Sequence, residues 1–385
     1  MRRWIVLGCL LFVSSAFAAL PEGKPADVGM DAEKLAEIDT AVAEAIKGNK
    51  TPGAVVVVVR SGKVVFRKAY GKRSVAPKDE AMTVDTIFDL ASLTKPIATA
   101  TAIVQLTRQG KLRLDDPVSK HLPAFAGEKG SITLAQLLLH TSGLPAGNAV
   151  ADYAGGRKAA LEKIAALKRK PPDERFVYSD LGYIVLGAVV EKAGGVGLDA
   201  FTAKHVFAPL GMADTSFGPL KDEARVARTA PTEKIDGAYL RGTVHDPRAR
   251  KLGGVAGHAG LFGTADDLAL FAQMLLDGGK VGDERFLEAA DVDLLTKGRT
   301  VPGGSRSYGW DVQTAYSGNR GELFAGFGHT GFTGTSLWID PTTKTAVIVL
   351  TNRVHPDGKG NVSRLRSRIA TIAAKAIVTP PLPKR

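Results

Sequence analysis

The chain has 385 residues, 44% hydrophobic and 23% charged, with one cysteine and a formal net charge of +12. This is a globular profile, long enough for one large domain or two entwined ones. The lone cysteine, Cys9, excludes a disulfide framework, and the scattered Lys and Arg lack the aromatic interleaving of a nucleic-acid groove.

Residues 1–18 read as an export signal. Arg2 and Arg3 form its basic end, 4–13 its apolar run, and Ala16-Phe17-Ala18 a small-x-small cleavage site. The run is too short to span a bilayer, and no other segment is apolar enough. The expectation is a periplasmic or secreted protein with no stable membrane insertion after cleavage. The mature chain would hold no cysteine and no thiol chemistry.

Next comes an amphipathic helix over 31–47, with Asp31 as N-cap and Leu35, Ile38 and Val42 on one face. The β-branched run 54–60, the Ser61-Gly62 turn and the alternating 63–70 predict a hairpin. A helix opens near Ser92. Further helices are predicted over 133–140, 156–167, 180–193, 198–206 and 265–276. Strands return at 308–314, 323–329, 335–339 and 345–351, and a helix over 362–376 closes the chain. Strands at both ends with helices between predict an α+β fold. One antiparallel sheet is built from both termini and flanked by helices, beside a mainly helical lobe. The expected organisation is a single domain over 19–385, with the α/β part at about 31–95 and 300–380 and the helical lobe at about 96–299.

Ser92-Leu93-Thr94-Lys95 stands at the start of the helix that follows 86–91. Residues three apart on a helix share a face and can touch. A serine hydroxyl needs a base to take its proton, and a lysine serves if burial and nearby positive charge lower its pKa. Taken alone, the tetrapeptide also fits an N-cap and a solvated lysine. Tyr178-Ser179-Asp180 precedes the 180–193 helix, where a tyrosine could relay a proton and the same residues could simply cap the helix. His329-Thr330-Gly331 ends a strand and enters the Phe332-Thr333-Gly334 turn, where a backbone N–H paired with that of Ser92 could form an oxyanion hole. Taken alone, the segment reads more simply as a glycine-rich hairpin turn. The segment 253–263 lacks the Gly-Lys-Ser/Thr ending of a phosphate loop. It reads as a backbone wall beside a site, with His258 either facing the cleft or satisfied within the loop. No histidine pair has metal-ligand spacing, so no metal and no cofactor are expected. His245-Asp246 reads as a turn.

The order Ser-x-x-Lys, Tyr-Ser-x, His-Thr-Gly resembles the serine β-lactamase and penicillin-binding-protein superfamily. It looks closest to the branch of class C β-lactamases, family VIII esterases and D-amino-acid peptidases. Supporting segments are 112–117, 138–144 and 209–212, and the likeness runs from about Leu35 to Ala376. It implies a β-lactamase/transpeptidase-like fold, with Ser92 as acylated nucleophile, Lys95 as its base and Tyr178 as proton shuttle. The N–H groups of Ser92 and Phe332 would hold the oxyanion. His329, Thr330 and Gly331 would bind substrate along the strand edge, with Asp180 at the rim.

Two positions depart from the antibiotic-binding members, which usually carry Asn at Asp180 and Lys at His329. A mostly neutral histidine forfeits a grip on a substrate carboxylate, worth roughly 1.5–3 kcal/mol. The resemblance therefore implies an amide or ester hydrolase rather than an efficient β-lactamase or D,D-carboxypeptidase, which is the alternative. A non-catalytic binding module of the same fold is a second alternative. The segments 244–246, 254–260 and 328–335 look like a narrower exported group resembling N-acetylmuramyl-L-alanine amidases. The implied substrate is a small molecule or peptidoglycan fragment.

Overall fold

The computed structural model describes residues 19–127, 131–321 and 325–378. The predicted export segment 1–18 lies outside the described residues, as do positions 323 and 324 of the predicted strand 323–329.

The run Val55 to Val59 is buried at every position, so its strand must be covered on both faces. Successive side chains point to opposite faces. Ala54, Val56 and Val58 pack on one side, beneath the helices Ala32–Lys47 and Ser363–Lys375. Val55, Val57 and Val59 join the larger core on the other, with Ile97, Ile103 and Phe271. Each such side chain contributes about 1.5–3 kcal/mol of burial before chain entropy is counted. Asp31 caps the first helix as expected: its Oδ1 accepts from Glu33 N–H at 2.9 Å and Lys34 N–H at 3.1 Å.

The strand Gly53–Arg60 pairs antiparallel with Thr345–Thr351 on one side and Lys63–Ser74 on the other. The two ends of the chain thus build one antiparallel sheet, in a mixed α+β architecture. Outward from Thr345–Thr351 lie Ser336–Asp340, Phe327–Thr330, Asp311–Gln313, Gly304–Arg306 and Arg299–Val301; Glu80–Ala81 closes the far edge. The strand predicted over 308–314 begins only at Asp311. Gly309 has a φ of +99° and Ser307 N–H donates to Trp310 O, so 307–310 is a turn. The hairpin Arg299–Arg306 was not among the predicted strands, because its short arms carry no apolar alternation.

Between the sheet segments the chain is helical. The helix Asp180–Gly194 is buried from Leu181 to Val190, the pattern of a central core helix. No single helix among the described residues is long and apolar enough to cross a membrane. The helix expected after Ser92 has three parts: a 3-10 turn Ala91–Leu93, a π-helical stretch Lys95–Ala100 and an α-helix Thr101–Arg108. π-Helical turns are frequent at functional sites. Likewise Leu198–Thr202 passes into a π turn, Ala203–Phe207.

The glycine-rich segment forms a wall, as expected. Leu261–Gly263 pairs with Phe88–Asp89 on one side and Ser216–Phe217 on the other. Thr99 Oγ1 donates to Gly257 O at 2.7 Å, and Leu261 N–H donates to Thr94 Oγ1 at 3.1 Å. The closest approach is at Gly257, where a Cβ would stand 2.0 Å from Tyr183 O and 2.9 Å from Gly187 N. Both neighbours are backbone and cannot rotate away. Gly257→Ala is therefore expected to lose about 3 kcal/mol or more of stability, the upper range of overpacking. Thermal unfolding checks this; an unchanged midpoint would show that the two segments are not locked together.

Candidate active site

Asp89 is the first positioning residue. Its buried carboxylate accepts Ala91 N–H at 2.8 Å and His245 N–H at 2.7 Å, tying the strand end to the loop before residue 246. Ala91 is thereby held at a φ of +47°, unfavourable for a residue with a Cβ. That bend presents Ser92 at the head of the helix, in a cavity of about 190 Å³. Tyr178, His329, Thr330 and Phe332 line the same cavity.

Lys95 is fully buried, and its ammonium lies 3.0 Å from Ser92 Oγ. It also donates to the His258 carbonyl at 3.1 Å and pairs with Asp180 Oδ1 at 2.8 Å. It stands 4.9 Å from the Tyr178 ring centroid. Burial pulls its pKa down, but Asp180 and Tyr178 outweigh burial and hold it above the ordinary lysine value. The sequence leaves the ionisation of Lys95 open; here the neighbouring charge is negative, which favours the ammonium form.

Asp180, expected at the rim, keeps 27% of its side chain exposed and is the counterion of Lys95. Burial pushes its carboxyl up, and Lys95 and His258 more than offset this and hold it below the usual range. Its neighbours explain both readings of the 178–180 motif. Ser179 Oγ accepts Gly182 N–H at 3.2 Å and donates to Pro145 O at 2.6 Å, so the serine is the cap. Tyr178 is free to enter the cavity.

His258, which the sequence allows either to face the cleft or to be satisfied in its loop, is buried, with 1% exposure. Its Nε2 pairs with Asp246 Oδ1 at 2.9 Å, so it meets the site through its backbone carbonyl rather than its ring. A direct ring contact with substrate is thereby corrected. Asp246 also caps the helix Pro247–Lys251 by accepting Arg248 and Ala249 N–H. Burial raises its carboxyl, but His258 and the cap hold it well below the usual range. Asp180, Asp246 and His258 bring one donor atom each within 4.8 Å of one another. Lys95 already occupies Asp180, and His258 Nε2 occupies Asp246, so the group reads as a charge network continuing from Lys95.

His329 and Thr330 end the strand Phe327–Thr330. His329 Nδ1–H donates to Thr330 O at 2.8 Å, and burial together with Arg306 and Lys95 lowers its pKa well below the ordinary value. It is a neutral imidazole. The following turn is clamped onto the Ser92 turn: Thr333 Oγ1 donates to Asp89 O at 2.6 Å and Thr335 Oγ1 to Leu90 O at 3.0 Å. A Cβ on Gly331 would lie 2.1 Å from Thr335 Oγ1 and 2.6 Å from Leu90 O, so this approach needs glycine. Phe332 is exposed, stacked on His245 at 5.4 Å with the Arg353 guanidinium 4.3 Å from its ring.

Sequence reasoning missed three residues. His140 is buried at a φ of +60°, accepts Ser179 N–H on Nδ1 at 3.0 Å, and lies 4.6 Å from the Tyr178 ring. It positions the tyrosine loop. Asp246 and Arg306 are the others. The Asp-Pro step at 246–247 could have signalled a helix cap; nothing local marks Arg306.

Fold and cluster together define a serine hydrolase of the β-lactamase and penicillin-binding-protein kind. The chain belongs to the Beta-lactamase family, whose pattern matches residues 38–371. It is 33% identical over 370 residues to an N-acetylmuramyl-L-alanine amidase of Bacillus subtilis (strain 168), covering 84% of this chain and 82% of that one. It is 31% identical over 402 residues to a protein of Escherichia coli (strain K12) named "Putative D-alanyl-D-alanine carboxypeptidase", covering 92% of each. Among solved structures it is similar to EstCE1, a hydrolase with promiscuous acyltransferase activity, at 26% identity and a TM-score of 0.71. That match covers 90% of this chain and 99% of the other. A class C β-lactamase from Rhodobacter sphaeroides shares the fold, at 22% identity and a TM-score of 0.71, covering 87% of this chain and 98% of that one.

Proposed function

We propose that this chain is an exported amidase of peptidoglycan fragments acting through an acyl-enzyme on Ser92. The observation that carries the reading is Lys95 Nζ at 3.0 Å from Ser92 Oγ in a cavity lined by Tyr178 and the His329 strand. The likeness to the Bacillus subtilis amidase over most of both chains supports the substrate class. The small-x-small site after an apolar run supports export.

In this reading Lys95 first gives up a proton, against the pull of Asp180. It then takes the proton of Ser92 Oγ as that oxygen bonds to the substrate carbonyl carbon. The Ser92 and Phe332 N–H groups hold the oxyanion. The C–N bond breaks as Tyr178 passes the proton to the leaving amine. Water, activated by the same pair, then hydrolyses the ester to Ser92 and frees the acid.

The test is incubation with a muramyl-L-alanyl peptide, a D-alanyl-D-alanine peptide and a penicillin, followed by product analysis. Release of the peptide beginning with L-alanine is expected. Release of D-alanine alone would replace this reading with the carboxypeptidase one. A lasting penicillin adduct on Ser92 would replace it with a penicillin-binding role.

A further inference from the structure

We infer that Arg366 is a positioning residue of the oxyanion hole, acting through the Gly331–Phe332 peptide; this rests on the reading of Ser92 as nucleophile and of Phe332 N–H as an oxyanion donor. Arg366 lies buried near the start of the closing helix, Ser363–Lys375. Its Nη2 donates to Gly331 O and to Thr335 O, each at 2.8 Å. These carbonyls stand at the two ends of the turn that follows Thr330. Within the turn, Gly331 N–H donates to Thr335 O at 2.7 Å and Gly334 N–H to Gly331 O at 3.1 Å. Arg366 therefore staples from behind a turn that Thr333 and Thr335 tie to the Ser92 turn in front.

The direction of the peptide decides what the staple does. A trans peptide points its C=O and N–H to opposite sides, and Gly331–Phe332 is trans. Gly331 and Arg366 line a cavity behind the turn, the Ser92 cavity lies in front, and Phe332 borders both. With Gly331 O held backward by Arg366, Phe332 N–H is turned forward. No acceptor meets that N–H among the described residues. It is a free donor held in place by a bond on the far end of its own peptide.

The charge of the side chain points the same way. A neutral amide could hold two carbonyls at lower cost, because burying a cation is expensive unless an acid pairs with it. Burial and the Arg353 charge both push the Arg366 pKa down, to about 9, and no carboxylate opposes them among the described residues. The guanidinium is thus a buried cation without a counterion at neutral pH. As Ser92 Oγ bonds to the substrate carbonyl carbon, the C=O electron pair moves onto the oxygen. Negative charge then develops in front of Phe332 N–H. A cation on the carbonyl end of the peptide polarises it and strengthens the N–H as a donor. The opposite charge that Arg366 lacks in the resting protein appears as the oxyanion forms. Arg366 does not line the Ser92 cavity, so it works through the peptide and not on the substrate.

The experiment compares 4-nitrophenyl acetate with its thionoester, O-(4-nitrophenyl) thionoacetate, in which sulfur replaces the carbonyl oxygen. Both release 4-nitrophenolate, but sulfur is a weaker hydrogen-bond acceptor and gains less from an oxyanion donor. Removing a whole oxyanion donor costs about 10²–10³ in kcat, and weakening one costs part of that. Arg366→Gln is expected to lower kcat/KM at least about tenfold on the acetate and less than about threefold on the thionoacetate. The oxo-to-thiono ratio should therefore fall by threefold or more. A merely structural role would lower both alike, and equal losses, or an unchanged acetate rate, would overturn the proposal. Arg366→Lys keeps the cation but falls one atom short of the carbonyls, so its ratio should fall by twofold or more and by less than that of Arg366→Gln. It decides alone if Arg366→Gln does not fold, and an unchanged ratio there would overturn the proposal. Equal acetate hydrolysis by the wild type and Ser92→Ala would overturn the Ser92 reading and this proposal with it. Loss in Ser92→Ala beside an unchanged Arg366→Gln would overturn this proposal alone.

Discussion

Ser92→Ala is expected to lower kcat for ester and amide substrates by about 10⁴-fold or more, the scale seen when a nucleophile acting within a catalytic unit is removed. The fold should survive. Ser92 is only partly buried, and the turn that carries it is held by groups other than its hydroxyl. Asp89 Oδ1 takes Ala91 N–H, and Thr94 Oγ1 donates to Ala91 O at 2.6 Å. An unchanged thermal midpoint alongside lost turnover is the expected pair of results. Turnover above one hundredth of wild type would mean that another group attacks the carbonyl.

Asp180→Asn is expected to move the pH dependence rather than simply reduce activity. Lys95 carries an ammonium because Asp180, at 2.8 Å, and Tyr178 outweigh the burial that would discharge it. A charge pair at that range is worth about 4 kcal/mol or more at an effective dielectric near 20. Lys95 must lose a proton before it can accept one from Ser92, so kcat/KM of the wild type should climb with pH well into the alkaline range. Removing the carboxylate leaves burial less opposed and lowers the Lys95 pKa. The rising limb should therefore shift to lower pH by at least about one unit, with the largest gain over wild type at neutral pH. A rising limb at the same pH in both proteins would show that Lys95 is not the titrating base. The variant also restores the residue usual in antibiotic-binding members, so a gain in penicillin acylation would accompany the shift.

That Ser92, Lys95 and Tyr178 lie together was legible because they belong to short motifs. Ser92 and Lys95 are one helical turn apart, and Tyr178 sits at a helix start. The sheet was legible too, since strands such as Thr345–Thr351 are continuous β-branched runs. What could not be read depends on contacts between distant segments. The sign of the Lys95 shift is set by Asp180, 85 positions away, and Tyr178, which together outweigh burial. Asp246 looked like a turn residue because its partner, His258, belongs to the glycine wall. Arg306 lies on a short hairpin with no alternation, and only the pairing of Arg306 with Asp311 carries it toward the cavity. The π-helical turn at Lys95–Ala100 leaves no mark in the apolar spacing that predicted a plain helix.

The central claim is that Ser92 is an activated nucleophile. It is tested most directly by treating the wild type, Ser92→Ala and Lys95→Ala with a fluorophosphonate and mapping the adduct by mass spectrometry. Lys95 precedes Pro96, where trypsin does not cut, so Ser92 is carried in peptide 79–108. The account predicts one adduct per wild-type chain, on Ser92 within that peptide, none in Ser92→Ala, and labelling slowed by at least about a hundredfold in Lys95→Ala. A wild type that stays unlabelled, or an adduct that persists in Ser92→Ala, would contradict it.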